Sequence, residues 1–460
     1  MGKTRKILEW ILLLRNLMNQ QSKNVQMRNK ILKYQLAAVL AIFSTALISA
    51  QTESLTLSSA IEIALEYNYG IRISESDVEI TGINNNWGTA GRYPGIGFDA
   101  SSINTYNFND SRSTNRLRAG VGLDWSIFDG FRVNFTKEKL EGLEELSRGR
   151  LGVVVETTIE DVIMAYYNVL LQRENLKVIE TVMTLSKDRY DYETVRYNFG
   201  GTVTYNVLQA KNVYLNDKAL FMTQEVRVRI SIRNLNFLLG IDPAVMWNFE
   251  DPFEPDTTRY VLSDLSAKMT ANNQTLTNQY TNLQLQKKEI DLKKSALYPS
   301  LSLSTGLDEN LGSEQFIGST DALSTYGNLR LSWDIYSGGT RRRAIEVEKI
   351  NEEIANVEIE QMEHALMNEL LNLYDFYSIR VALLDVANES IEAAELNMSI
   401  ADEKFRSGAI SSFEYRDIQL IYLTSALRRL EAIYNLIGSR TSLTRLTGGF
   451  LMENTSAESG

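Results

Sequence analysis

The chain has 460 residues, a net charge of −11, one histidine and no cysteine. Disulfides, thiolate metal sites, a cysteine nucleophile and a lipid anchor on cysteine are excluded, and His364 alone is too little for a histidine triad or a His-rich metal site. The acidic balance argues against a nucleic-acid partner, for which a basic face is expected.

Residues 1–50 read as a targeting segment. Met27-Arg28-Asn29-Lys30 with Lys33 forms a basic start, 36–47 an apolar stretch, and Ile48-Ser49-Ala50 a cleavage site before Gln51. The stretch is too short to span a bilayer. Residues 1–26 read as an upstream extension, with Met1 and Met27 as alternative starts. Removing 1–50 takes away eight Lys/Arg and one acid, which moves the net charge from −11 to −18. Beyond this segment no run of 18 apolar residues occurs. An exported chain without one is either soluble or inserted as a β-barrel.

The rest is one design written twice, 51–255 and 256–450, with 451–460 expected as a disordered tail. Positions 66–94 fall on 271–299, a shift of 205, and from Leu123 to Gly240 the shift is 208. Trp125 falls on Trp333, Gly130 on Gly338, Tyr166 on Tyr374, Gly200 on Gly408 and Gly240 on Gly448. A period near 200 residues is too long for a solenoid, so this is a duplicated half-domain.

In each copy a helix comes first, about 56–91 and 261–297. Pro94 and Pro299 end it, and the rhythm then changes to two. Ile96, Phe98 and Ala100 alternate weakly. Leu117, Ala119, Val121, Leu123, Trp125 and Ile127 alternate with Arg118, Gly120, Gly122, Asp124 and Ser126; Leu301, Leu303, Leu329, Leu331 and Trp333 alternate likewise. Such strands are long enough to cross an outer membrane when tilted, with Leu117, Val121, Leu123, Trp125, Leu301, Leu303, Leu329, Leu331 and Trp333 towards lipid. Trp125/Trp333 and Phe128/Tyr336 would supply an interfacial girdle. Half-buried strands of a soluble sheet would look similar. Four strands cannot close a membrane barrel, and an open edge in lipid leaves backbone groups unpaired, so strands in a membrane would require several chains.

A long proline-free helix follows in each copy, 131–198 and 339–406. Val155, Ile159, Val162, Tyr166 and Val169, and Met367, Leu370, Tyr374, Tyr377, Val381 and Leu384, give each a coiled-coil-like seam. At 1.5 Å per residue each rod is roughly 100 Å long. The rods end at Gly200-Gly201-Thr202-Val203 and Gly408-Ala409-Ile410-Ser411, where glycine stops one helix and Ser/Thr is expected to cap the next, about 204–240 and 412–447. The remaining prolines, 243, 252 and 255, lie between the copies.

This order, with the motifs Leu123-Asp124-Trp125, Ala296-Leu297-Tyr298-Pro299-Ser300-Leu301, Arg196-Tyr197-Asn198-Phe199-Gly200 and Lys404-Phe405-Arg406-Ser407-Gly408, resembles the outer-membrane efflux channel family, the TolC-like trimeric channels. The resemblance implies a mainly α fold with a membrane β-barrel portion. Long antiparallel helical hairpins would form an α-barrel, and four strands per chain would contribute to a 12-stranded barrel in a homotrimer. It implies a passive conduit in the outer membrane of a Gram-negative bacterium, extending into the periplasm, with neither enzymatic activity nor cofactor. Its partners would be outer-membrane lipid, a periplasmic adaptor (membrane fusion protein) and an inner-membrane pump of RND or ABC type. A duct for type I protein secretion uses the same architecture; a soluble periplasmic coiled-coil scaffold is the alternative of a different class.

The resemblance makes the two turns, Gly200, Gly201, Thr202, Val203 and Gly408, Ala409, Ile410, Ser411, the adaptor-docking tips. Glu414 and Asp417 match two acids that ring the closed tunnel end in some relatives. Acids at i and i+3 share a helix face, and in a trimer six carboxylates would attract cations; the plainer reading is first-turn acids favoured by the helix dipole. Positions matching an arginine–aspartate lock of some relatives carry Ile410 and Asn206, so that lock is not expected. Tyr205, Asn206 and Phe405 would form a constriction with Glu414 instead.

Overall fold

The structure, a computed structural model, describes residues 54–109, 112–314, 318–319 and 322–450. The targeting segment and the tail lie outside them. One compact unit takes Leu55–Val245 together with the chain from Phe249 on; the architecture below is that unit's.

Its elements come in the same order twice. The first half has α1 (Leu57–Tyr67), α2 (Tyr69–Asn84), β1 (Gly95–Asn107), β2 (Arg112–Phe128), α3 (Arg132–Asn198) and α4 (Thr204–Leu239). The second has α5 (Leu262–Asn272), α6 (Gln274–Ser295), β3 (Ser300–Glu314), β4 (Ala322–Ser332), α7 (Thr340–Arg406) and α8 (Ser412–Leu446). The two rods have 67 residues each, as the absence of proline and the run of good helix formers require.

The first helix of each half is not continuous, contrary to the sequence reading. Asn68 and Asn273 break it, and the break is a fastening. The Asn68 side-chain oxygen accepts from the N–H of Gly70 (2.8 Å) and Ile71 (3.2 Å), starting α2, while its amide donates to the Leu238 carbonyl at 2.7 Å. Asn273 accepts from the N–H of Leu276 (3.0 Å) and donates to the Leu446 carbonyl at 3.0 Å. Gly240 and Gly448 complete the joint at φ +72° and +70°, so close that a Cβ would stand 2.2 Å from the Tyr67 carbonyl oxygen and 2.5 Å from that of Asn272. Only glycine fits there.

The strands form an antiparallel sheet in the order β1-β2-β3-β4. Trp125 pairs with Leu303, Val121 with Leu307, Val121 with Phe98, and Leu303 with Leu329, so the apolar residues share one face as the period of two predicts. Trp333 lies just past β4. Both tryptophans tie the strands to the turns that lead into the sheet from the preceding helices: Trp125 Nε1 donates to the Arg92 carbonyl at 2.9 Å and Trp333 Nε1 to that of Leu297 at 3.1 Å. Among the described residues no strand covers the outer edge of β1 or of β4.

The rods carry the core. α3 packs against α2, α4, α6 and α8, and α7 against α6 and α8. Ile159, Val162, Tyr166 and Val169 are buried along the first seam, and Leu370, Tyr377 and Leu384 along the second. The stretch between the halves is pinned to both rods. Asp251 accepts from the Leu57 N–H at 2.6 Å and from the Tyr166 hydroxyl at 2.5 Å, and the Tyr377 hydroxyl donates to the Thr258 carbonyl.

Glu156 breaks the pattern. It is 5% exposed on α3, and its Oε1 has no hydrogen-bond partner. Burial pushes its carboxyl up to about 7, with Arg445 pulling weakly the other way. The unfolded chain releases this proton in the ordinary carboxylate range while the folded chain keeps it, so stability falls as pH rises through that window and the cost is full above 7. Glu156→Gln should therefore raise the melting temperature at pH 8, by an amount equivalent to about 2 kcal/mol once screening is allowed for, and change it little at pH 4. Melting curves at the two pH values check this; equal shifts at both would show that Glu156 does not titrate as placed.

Candidate functional site: the hairpin tips

Each rod stops where a glycine turns left-handed. Gly200 has φ +75°, with the Gly201 N–H on the Arg196 carbonyl at 2.8 Å. Gly408 also has φ +75°, with the Ala409 N–H on the Lys404 carbonyl at 2.8 Å. The hydrogen bonds reach back over the last turn and satisfy its free carbonyls.

The next helices start differently. Ser411 caps α8 in a reciprocal box: its hydroxyl accepts from the Glu414 N–H at 3.3 Å, and Glu414 Oε2 accepts from the Ser411 N–H at 2.7 Å. Hydrogen bonds to the carboxyl from Ser411, its backbone N–H first and then its side chain, hold Glu414 below its ordinary range. At the first tip no side chain caps α4, contrary to expectation; Val203 occupies the cap position, and Thr202 instead accepts from the Asn206 amide at 3.0 Å.

Glu414 and Asp417 are both exposed, one turn apart on α8. Gly200, Gly201, Val203, Gly408, Ala409 and Ser411 are exposed, and Thr202 and Ile410 partly so. Tyr205 is exposed and Asn206 partly buried. Phe405 corrects the expectation. It is 6% exposed, stacked on Tyr415 with ring centroids 4.7 Å apart and tilted against Tyr192 at 5.5 Å, so it holds the hairpin together and cannot line an opening. Phe199, 87% exposed at the first tip, and Phe413 on α8 face outward along with Tyr197 and Tyr205, and the sequence reading gave neither phenylalanine a role.

No ionic lock forms at Ile410 and Asn206, but another joins the two hairpins. Arg416 of α8 grips Asp217 of α4 with two bonds of 2.8 Å each, in the fork geometry that makes such pairs strong. The Ser186 hydroxyl of α3 also donates to Asp217. Arg189, buried beside them, donates to the Ser412 carbonyl at 3.2 Å. The Tyr415 hydroxyl reaches Asp402 at 3.2 Å, and burial pushes it above the ordinary tyrosine range.

Among the described residues no three His, Cys, Asp or Glu side chains are placed to hold a metal ion, and no helix is long and apolar enough to cross a membrane. The site is a pair of fastened turns with outward aromatics and two exposed acids, separated from the open-edged sheet by the length of the 67-residue rods.

No curated protein sequence matches the chain. Solved structures do. The CmeC outer membrane channel of Campylobacter jejuni superposes with a TM-score of 0.68 at 16% identity, covering 85% of this chain and 85% of that one. The outer membrane protein VceC of Vibrio cholerae gives 0.67 at 13% identity, covering 85% and 96%. MtrE, an outer membrane channel of Neisseria gonorrhoeae solved in its open state, gives 0.66 at 16%, covering 85% and 89%. The profile of the Outer membrane efflux protein family matches residues 60–241 and again 265–449, one match for each half. With both halves matched and the same fold, the chain belongs to the outer membrane efflux protein family.

Proposed function

We propose that this chain is the exit channel of a tripartite efflux system, a passive homotrimeric conduit crossing the outer membrane and periplasm. The observation that carries the reading is the pair of uncovered sheet edges. One chain cannot seal its own strands in lipid, whereas three copies joined head to tail make a closed ring of twelve.

The internal duplication supports the same ring. Within the chain, Gly142 of α3 receives Leu285 of α6, and Gly149 receives Asn278. Carried over by the repeat shifts, these contacts become Ile350 of α7 against Ile80 of a neighbour's α2, and Val357 against its Ile73. All four are exposed in the single chain and apolar, as a partner-covered seam needs. The same transfer sets Trp333 beside a neighbour's Phe98. A heat-labile, SDS-resistant oligomer in outer-membrane fractions is expected; a monodisperse water-soluble single subunit would sink the proposal.

In this assembly the tips face a periplasmic adaptor coupled to an inner-membrane pump, and Glu414 and Asp417 ring the tunnel end. Glu414→Gln with Asp417→Asn removes six charges from the trimer and keeps the capping box, which glutamine also makes. Block of single-channel current by a divalent cation from the periplasmic side should weaken about threefold. Unchanged block would take both acids out of the gate.

A further inference from the structure

The polar face of the sheet holds a pattern that alternation alone does not require. At one level across it stand Gly97 of β1, Gly122 of β2, Gly306 of β3 and Tyr326 of β4, paired in that order. A row of glycines weakens strands, because glycine costs more entropy to order and packs nothing. Here the row is filled from its Tyr326 end as far as Gly122, with nothing within 4 Å of a Cβ on Gly97. A Cβ on Gly306 would stand 2.8 Å from the Tyr326 hydroxyl and 2.9 Å from its Cε1, and a Cβ on Gly122 would meet the hydroxyl at 3.2 Å. Tyr326 thus lies back along the wall. It is half-buried while Thr325 and Gly327 are exposed. One level along, Arg118 reaches Asp308 at 2.7 Å over Gly120.

We propose that Tyr326 sets the bore of the barrel and that the glycine row fixes how far its ring projects. The inference rests on the trimeric reading, which turns this polar face to the lumen. One level along, Arg118 offsets Asp308 while Asp99, paired with Gly120 on the same face, leaves that level acidic, so the sorting by cross-section is placed at Tyr326 itself, whose row carries no charge. A ring that merely covers bare glycine backbone would leave passage unaffected.

The chain has no cysteine, so one introduced thiol reports without background. Ser302→Cys lies on the same face as Tyr326, nearer the start of β3, and reagents added outside the cell must pass Tyr326 to reach it. Intact cells are treated with a small and a bulky charged methanethiosulfonate. The bulky reagent should label about twofold faster or more with Tyr326→Ala, and slower by a similar factor with Gly122→Val. The double variant Gly122→Val/Tyr326→Ala should recover at least the parent rate. An unchanged rate in Tyr326→Ala, or slow labelling that persists in the double variant, overturns the proposal. Where Gly122→Val forms no heat-labile oligomer, Tyr326→Ala decides alone. If the small reagent never reaches Ser302→Cys, or reaches Leu303→Cys equally well, the barrel reading has failed instead.

Discussion

Oxidation of a chain carrying Ile80→Cys and Ile350→Cys will produce a ladder of covalent dimers and trimers, with nothing above the trimer. Within the chain the equivalent residues, Leu285 and Gly142, touch: a Cβ on Gly142 would lie 2.8 Å from Leu285 Cδ2. The two halves share one packing plan, so in the proposed trimer the contact that joins half to half inside a chain would be repeated between chains. Disulfides form only when Cα atoms come within about 7 Å, so the cross-link is a strict distance test. A head-to-tail contact joins unlike surfaces and stops growing only when the ring closes. Ladders beyond three would mean an open filament. Single-cysteine chains should give no ladder, and an unlinked double-cysteine chain would refute the transferred contact.

Asp217→Asn will loosen the tips. Asp217 is 5% exposed at its side chain and Arg416 is 20% exposed, so the pair is largely withdrawn from water. Removing one partner of such a pair costs about 3 kcal/mol, because the remaining charge stays buried without an equal answer. The neighbourhood makes it worse. Arg189 is already held below the usual arginine range, by burial first and then by repulsion from Arg416, with Asp217 among the groups that offset this. We expect a lower melting temperature and a larger, noisier single-channel current. Arg416→Gln with Asp217→Asn should restore part of the stability, since both charges then leave together. If Asp217→Asn leaves current and melting unaltered, the pair does not govern the tip.

Much of this fold was legible in the residues. Pro94, Pro299 and the left-handed glycines at 200 and 408 punctuate it, and glycine and proline act through the backbone, which needs no tertiary context. The breaks at Asn68 and Asn273 escaped notice because one asparagine inside a helical rhythm looks like a surface position. Its meaning depends on a carbonyl 170 or more residues away. Phe405 was readable and misread: Met398, Ala401 and Phe405 continue the three–four rhythm of the buried seam. Asp217 left a trace as well. Ala210, Asp217, Gln224 and Ser231 recur every seven residues on α4 and are all buried. Polar residues at seam positions signal a specific partner, and only the structure supplies Arg416.

The repeat that builds the ring does not repeat its charged fastening. Positions equivalent to Arg416 and Asp217 across the boundary between copies are Leu208 and Ser425, neither of which carries charge. In the proposed trimer the six hairpins would therefore meet at alternating hinges, three riveted by ions and three merely greased by uncharged side chains. An iris so made would have three leaves rather than six, and would part along the seams between subunits.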